Sequence, residues 1–331
     1  MKAIRFHEHG GPEVLRYEDV ADPVPGPGQV LLRVLAAGVN YADASRRKGG
    51  TSYPRPTPLP FTPGSEVVGI VEKLGDGVTA VEQGATVMAW LGQGGYAERA
   101  VADTADLLPL PAGVQPVEAL SLIIQGLSAA LILKGSARLQ AGESVLIEGA
   151  AGGVGVIAVQ LAKIYGAGRV IGAASTQAKR DLVVSLGADA AVDYTRADWA
   201  AEVKAKNGGR PVDVILEMTG GAVFEQSLDC LAPFGRMVAY GNASRQPMTL
   251  NVQRLYALNQ TVTGFFLSGF IAGQSQDRGA FAGKLLAELG GYVRDGRLRL
   301  QLGGTYKLAQ AAEAHRAIEE RCTTGKVVLV P

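Results

Sequence analysis

Ser144 to Lys163 reads SVLIEGAAGGVGVIAVQLAK, an apolar run that passes into a glycine-rich turn and then into a segment of helical spacing. Ala150, Gly152 and Gly155 take the three small-residue positions of a dinucleotide fingerprint, and Gly153 and Val154 complete the turn. Small residues there permit a tight bend, let a pyrophosphate approach the backbone, and let the helix pack closely on its strand. An alanine stands first where glycine is usual, so the surrounding pattern has to carry part of the reading.

That pattern is present downstream. Ser144–Ile147, Arg169–Ala173, Ala190–Asp193, Val212–Glu217 and Arg236–Tyr240 are strand-like runs separated by helix-length segments, as parallel βαβ units require, and Gln260–Phe265 offers a sixth strand. Upstream the texture differs. Val30–Leu35, Glu66–Lys73, Ala85–Trp90 and Tyr96–Val101 are short β-branched runs punctuated by glycine and proline, which predicts a compact β-barrel-like domain. Between them, Gly49–Pro63 holds five prolines and reads as an extended loop able to wall a pocket. Phe281–Arg294 and Leu308–Glu320 have helical spacing, and Lys326–Val330 reads as a closing strand that returns to the earlier sheet. The expectation is an α/β chain with a discontinuous first domain, residues 1–124 and 267–331, into which a doubly wound parallel-sheet domain, residues 125–266, is inserted.

Composition sets the bounds. A chain of 331 residues exceeds what one core usually supports, and 47% hydrophobic against 19% charged residues is enough apolar matter for two. Lys plus Arg number 32 and Asp plus Glu 31, so no broad field attracts nucleic acid or an anionic membrane. Met1–Gly10 has charges and histidines where a secretory signal needs an apolar run, which predicts a cytoplasmic protein. Ala119–Leu133 is shorter than the ~20 residues of a membrane span and reads as a buried helix. Cys230 and Cys322 are too few for a disulfide framework or a thiolate zinc site.

The second strand settles which nucleotide is expected. A site for NAD usually ends this strand in an acid that accepts hydrogen bonds from the ribose hydroxyls. Here Ile171–Arg180 reads IGAASTQAKR, with Ser175 and Thr176 at the acid's place and Lys179 and Arg180 just beyond. Hydroxyls and cations suit the 2′-phosphate of NADPH, which a carboxylate would repel.

Taken together, HGGPEVL (His9–Leu15), AAGVNYAD (Ala36–Asp43), PGSEVVGIV (Pro63–Val71), GAAGGVG (Gly149–Gly155) and YGN (Tyr240–Asn242) make the chain resemble the zeta-crystallin-like quinone oxidoreductases of the medium-chain dehydrogenase/reductase superfamily. The resemblance implies a GroES-like catalytic domain, an inserted Rossmann domain, bound NADPH and a homodimer formed by edge pairing near Gln260–Phe265. It also implies that Lys179, Tyr194 and Arg321 meet the adenine-side phosphate, that Asn242 and Ser244 contact the nicotinamide half, and that Phe265 and Phe266 follow the sixth strand.

Zinc-dependent members of that superfamily carry Cys, a Gly-His-Glu triplet and a second Cys as ligands. Asn40, Ser65 (within Gly64-Ser65-Glu66) and Gln125 stand in those places here, and all three are poor zinc ligands. Without a metal, the acceptor must be easily reduced, as a quinone or enone is, and Asn40, Tyr41 and Gln125 are the candidate donors to the developing oxyanion. Tyr53 is a candidate pocket residue, Asp43 a local hydrogen-bonding group, and His7, His9 and His315 form no acid–base constellation. The rival readings are an NADPH-dependent enoyl or 2-alkenal double-bond reductase, and a non-catalytic nucleotide- or RNA-binding protein, which the balanced charge disfavours.

Overall fold

The computed structural model describes residues 1–49, 56–275 and 277–331, and it divides into two units: 1–124 with 275–294 and 300–331, and 125–274 with 295–299. The first unit begins with β1 (Lys2–Arg5), β2 (Arg16–Asp19), β3 (Gln29–Val39), α1 (Tyr41–Lys48), β4 (Glu66–Leu74), β5 (Thr86–Trp90), β6 (Arg99–Asp103), β7 (Leu107–Pro109) and α2 (Pro116–Ser121). The second holds α3 (Leu127–Leu131), β8 (Ser144–Glu148), α4 (Gly153–Ile164), β9 (Arg169–Ala173), α5 (Gln177–Ser185), β10 (Ala190–Val192), α6 (Trp199–Lys206), β11 (Val212–Glu217), α7 (Gly221–Cys230), β12 (Leu231–Ala239), α8 (Val252–Leu258), β13 (Thr261–Gly264) and α9 (Leu267–Gln274). The chain then returns to the first unit with α10 (Arg278–Arg294), β14 (Leu302–Lys307), α11 (Ala311–Glu319) and β15 (Lys326–Val330). Leu267–Gln274 and 295–299 thus group with the nucleotide-type unit, where the sequence reading had put 267 onward in the other.

In the second unit six strands run parallel in the order β10-β9-β8-β11-β12-β13. This is the doubly wound 3-2-1-4-5-6 arrangement, whose order reverses beside β8. Val145, Leu146 and Ile147 are fully buried because both faces of the sheet are covered, which is why these strands read as continuous apolar runs. Leu146, Ile171, Trp199, Ile215, Phe224 and Met237 centre one core of this unit.

In the first unit the order is β14-β15-β3-β4-β5-β7, with β6 also paired to β3. β15 lies between β14 and β3, parallel to the first and antiparallel to the second. Its core gathers Ile4, Leu32, Val67, Val71, Tyr96, Ala100 and Leu329. The run that begins at Tyr96 joins the sheet later than its β-branched pattern suggests. Tyr96 and Ala97 do not open the sixth strand: Ala97 bridges Ala3, Ile4 N donates to Tyr96 O at 2.8 Å, and the ladder with β3 begins only at Arg99.

Pro116–Ser136 is helical over 21 residues with mean hydropathy 1.8, long enough to cross a membrane, in contrast to the shorter helix expected. Its apolar window is 78% buried inside the protein, so folding already covers the surface that a bilayer would otherwise cover.

Candidate active site

The glycine turn follows β8 directly. Gly149 has φ +55°, a left-handed conformation in which a side chain is strained, and a Cβ there would lie 2.8 Å from Met218 Sδ. Gly152 caps α4, its N–H donating to Gly149 O at 2.8 Å. A Cβ on Gly155 would lie 2.6 Å from Ala150 Cα, so only glycine lets the helix approach this closely. Ala150 sits under the turn, fully buried, with its N–H on Ala173 O at 3.1 Å. Gly153 and Val154 open α4, whose first N–H groups have no partner within the helix and suit an anion.

At the end of β9 there is no acid. Thr176 is the N-cap of α5 and its Oγ1 accepts from Lys179 N at 3.3 Å, while Ser175 and Lys179 are half-buried beside it. The two neighbouring cations separate in role. Arg180 is turned to the protein, with Nη1 2.9 Å from Asp193 Oδ2 and 3.1 Å from Ala174 O. Lys179 lies half-buried in the first turn of α5. Tyr194, after β10, is partly buried and packs against the core of this unit.

Asn242 and Ser244 come together after β12: Ser244 Oγ donates to Asn242 Oδ1 at 3.1 Å, and Ser244 N to Thr219 O at 2.7 Å. Phe265 is buried against Phe270, ring centroids 5.3 Å apart, whereas Phe266 is 43% exposed. Sequence reading missed the two acids beneath these turns. Glu148 ends β8 and Glu217 ends β11, and neither side chain is exposed. Glu217 Oε1 accepts Thr219 N at 2.9 Å and Gly220 N at 2.5 Å, and Ser227 Oγ donates to Glu148 Oε1 at 2.5 Å. The signal was available: each is an acid closing a run of three apolar residues, Val145–Ile147 and Val214–Leu216.

In the first unit the residues expected to face an acceptor are built into an ionic core. Asn40 is the N-cap of α1 and forms a capping box with Asp43, whose Oδ2 accepts Asn40 N at 2.9 Å. The Asn40 amide donates to Glu66 Oε1 at 2.9 Å and accepts from Lys326 Nζ at 3.1 Å. Lys326, 1% exposed, also pairs with Glu66, whose Oε2 accepts Ile124 N at 3.0 Å. The side chain of Asn40 is thus held by a buried ion pair, which sequence reading did not anticipate. Tyr41 begins α1 and is partly buried.

A second buried chain extends from Asp43. Tyr96 Oη donates to Asp43 Oδ2 at 3.3 Å and lies 3.1 Å from His315 Nε2, and His315 Nδ1 accepts from Arg47 Nη1 at 3.0 Å. Arg47 grips Glu319 with two bonds, at 2.9 and 2.8 Å. Burial, with Arg47 beside it, pushes the His315 imidazole down to about 3, so it stays neutral and links α11 to α1. Burial raises the Asp43 carboxyl, opposed by the Asn40 N–H and by Lys326.

Gln125 lies in the second unit, 6% exposed, at its first residue. Arg321, exposed and left-handed at φ +58°, closes α11 in the first unit. Tyr53 lies outside the described residues. Among the described residues, no three His, Cys, Asp or Glu side chains converge as a group able to hold a metal ion.

Residues 26–112 match the model of the alcohol dehydrogenase GroES-like domain, and residues 153–282 that of the zinc-binding dehydrogenases. The quinone oxidoreductase of Mus musculus is 37% identical over 335 residues, covering 100% of this chain and 98% of that protein. Among solved structures, a mycobacterial protein complexed with NADPH aligns with TM-score 0.91 at 36% identity, covering 100% of both chains. The Escherichia coli quinone oxidoreductase complexed with NADPH aligns with TM-score 0.91 at 31% identity, again covering 100% of both.

Proposed function

Because this chain belongs to the zeta-crystallin-like quinone oxidoreductases of the medium-chain dehydrogenase/reductase superfamily, we propose that it reduces a quinone or similar conjugated carbonyl with NADPH and without a metal ion. It is an NADPH-dependent oxidoreductase. The observation that carries the cofactor reading is the cradle after β8, too tight for any Cβ at Gly155, together with hydroxyls rather than an acid after β9.

When bound, NADPH supplies a hydride and leaves proton delivery to water or to the protein. The residues' part is placement. The first N–H groups of α4 face the pyrophosphate, and Thr176 and Lys179 take the 2′-phosphate. Asn242 and Ser244, fixed to each other and to Thr219, hold the nicotinamide half. Tyr41 donates a hydrogen bond to the reduced oxygen, and Asn40 supports it from the N-cap.

Metal independence is supported by donor chemistry. Asn40 and Ser65 offer neutral oxygens in place of thiolate and imidazole, and Lys326 already supplies a buried positive charge to Glu66. We further propose a homodimer, because β13 ends the parallel sheet and leaves its outer edge unpaired by any described strand. Steady-state titration with NADPH and with NADH tests the cofactor: preference for NADPH by at least about tenfold in kcat/KM supports the reading, and equal efficiency rejects it. A panel of quinones, enals and enoyl thioesters, repeated after exhaustive chelation, tests the acceptor and the metal; faster turnover of the carbon–carbon double bonds would assign the rival reductase activity.

A further inference from the structure

Two acids meet under the glycine turn. The strands that carry them are neighbours in register, Leu216 opposite Ile147, so Glu217 and Glu148 follow side by side, close enough for the Glu148 charge to act on Glu217. Glu148 Oε1 and Glu217 Oε1 have donors of their own, whereas Oε2 of each is buried with no donor among the described residues. Two carboxylates in such contact, away from water, cannot both stay ionised, and one proton between the orphaned oxygens would satisfy both.

We propose that Glu148 and Glu217 share a single proton, that this shared proton fixes the three nucleotide-facing turns in place, and that losing it weakens NADPH binding. This rests on the cofactor reading above. The pair is the fastening point of all three turns. Glu148 leads into Gly149, and Glu217 holds the N–H groups of Thr219 and Gly220. Tyr240 N donates to Glu217 O at 3.0 Å, Ala243 N to Met218 O at 2.9 Å and Ser244 N to Thr219 O at 2.7 Å, so the turn after β12 hangs on the turn after β11. A second negative charge in the pair would push the carboxyls apart and move both turns.

The other groups facing the pair cannot take up that charge. Ser227 on α7 donates its hydroxyl to Glu148 Oε1 and carries no charge of its own. Cys230 on α7 is pushed up to about 12 by burial, and burial with both carboxyls raises Tyr240 at the end of β12, so thiol and phenol stay neutral. Burial and the neighbouring Glu148 raise Glu217 to about 8, and burial raises Glu148. The sign follows: a carboxyl raised in the folded state favours folding most below its unfolded value near ~4.3, and that advantage is lost as pH climbs towards the folded value. An anionic nucleotide close by disfavours the doubly ionised pair further, so binding draws in a proton.

Glu217→Gln is the informative variant, because its amide oxygen can accept the same two N–H groups while its NH2 donates permanently to Glu148. In the wild type, the Kd for NADPH, followed by nucleotide fluorescence, should rise about fivefold or more between about pH 7.5 and 9.5, and less than about twofold in Glu217→Gln. Calorimetry at about pH 8 in buffers of different ionisation enthalpy should show proton uptake on binding by the wild type and none by the variant. Without nucleotide, the Tm of the variant relative to wild type should increase from about pH 5.5 to 9. A relative Tm that is flat with pH overturns the shared proton. Identical pH profiles for NADPH binding in both proteins overturn the coupling, and no NADPH binding at any pH overturns the cofactor reading and the coupling with it.

Discussion

Lys179 and Arg180 are adjacent in sequence, yet their environments differ, and the difference makes a prediction. Arg180 is neutralised by Asp193 and tied to the Ala174 carbonyl, so replacing it should disturb the β9–α5 connection whatever nucleotide is offered. Lys179 is half-buried in the first turn of α5, its N–H capped by Thr176, where we propose that the extra phosphate binds. Lys179→Ala should therefore raise the KM for NADPH about tenfold, corresponding to ~1.5 kcal/mol of a charge-assisted contact that stays partly in water, and leave NADH kinetics unchanged. Parallel Michaelis curves with the two nucleotides check it, and an equal loss with both would make Lys179 structural. His315 gives the opposite lesson. Nothing in the sequence separates it from His7 and His9, but the fold buries it as a neutral connector between Tyr96 and Arg47.

At the scale of elements, the most consequential join is the one Lys326 makes at the start of β15. It ties that strand to β4 through Glu66 and to α1 through Asn40. Lys326→Ala leaves a buried carboxylate unpaired and should cost ~3 to 5 kcal/mol, whereas Lys326→Met combined with Glu66→Gln should recover most of the loss; chemical denaturation of wild type and the two variants checks it. Strands with β-branched runs were legible from sequence because burial on both faces leaves no other pattern, and Arg169–Ala173, Val212–Glu217 and Lys326–Val330 have the bounds the sequence predicts. β12 was only half legible. It starts at Leu231, and Pro233, a left-handed Phe234 and Gly235 read locally as a loop although they lie within the strand, where the register with β11 shifts. The polar core was illegible for a different reason. Which acid meets Lys326, or which acid meets Glu148, is decided by pairing between distant strands, and no spacing rule reports it.

For the whole molecule, the outer edge of β13 and the exposed apolar residues of the elements preceding it set the expected assembly. Val252 and Tyr256 on α8 are 64% and 69% exposed, and Phe234 is 73% exposed. Val252→Asp with Tyr256→Glu should leave folding intact, since neither side chain is buried, and lower the mass in light scattering after size exclusion from that of the proposed dimer to that of one chain; an unchanged mass would remove this face from the proposed interface. The sheet order of the first unit has another consequence. The place between β14 and β3 is filled by β15, which follows the other described strands of this unit in sequence. A ribosome adds β15 only after the inserted unit has emerged, so β3 waits for this neighbour until the intervening domain has been made.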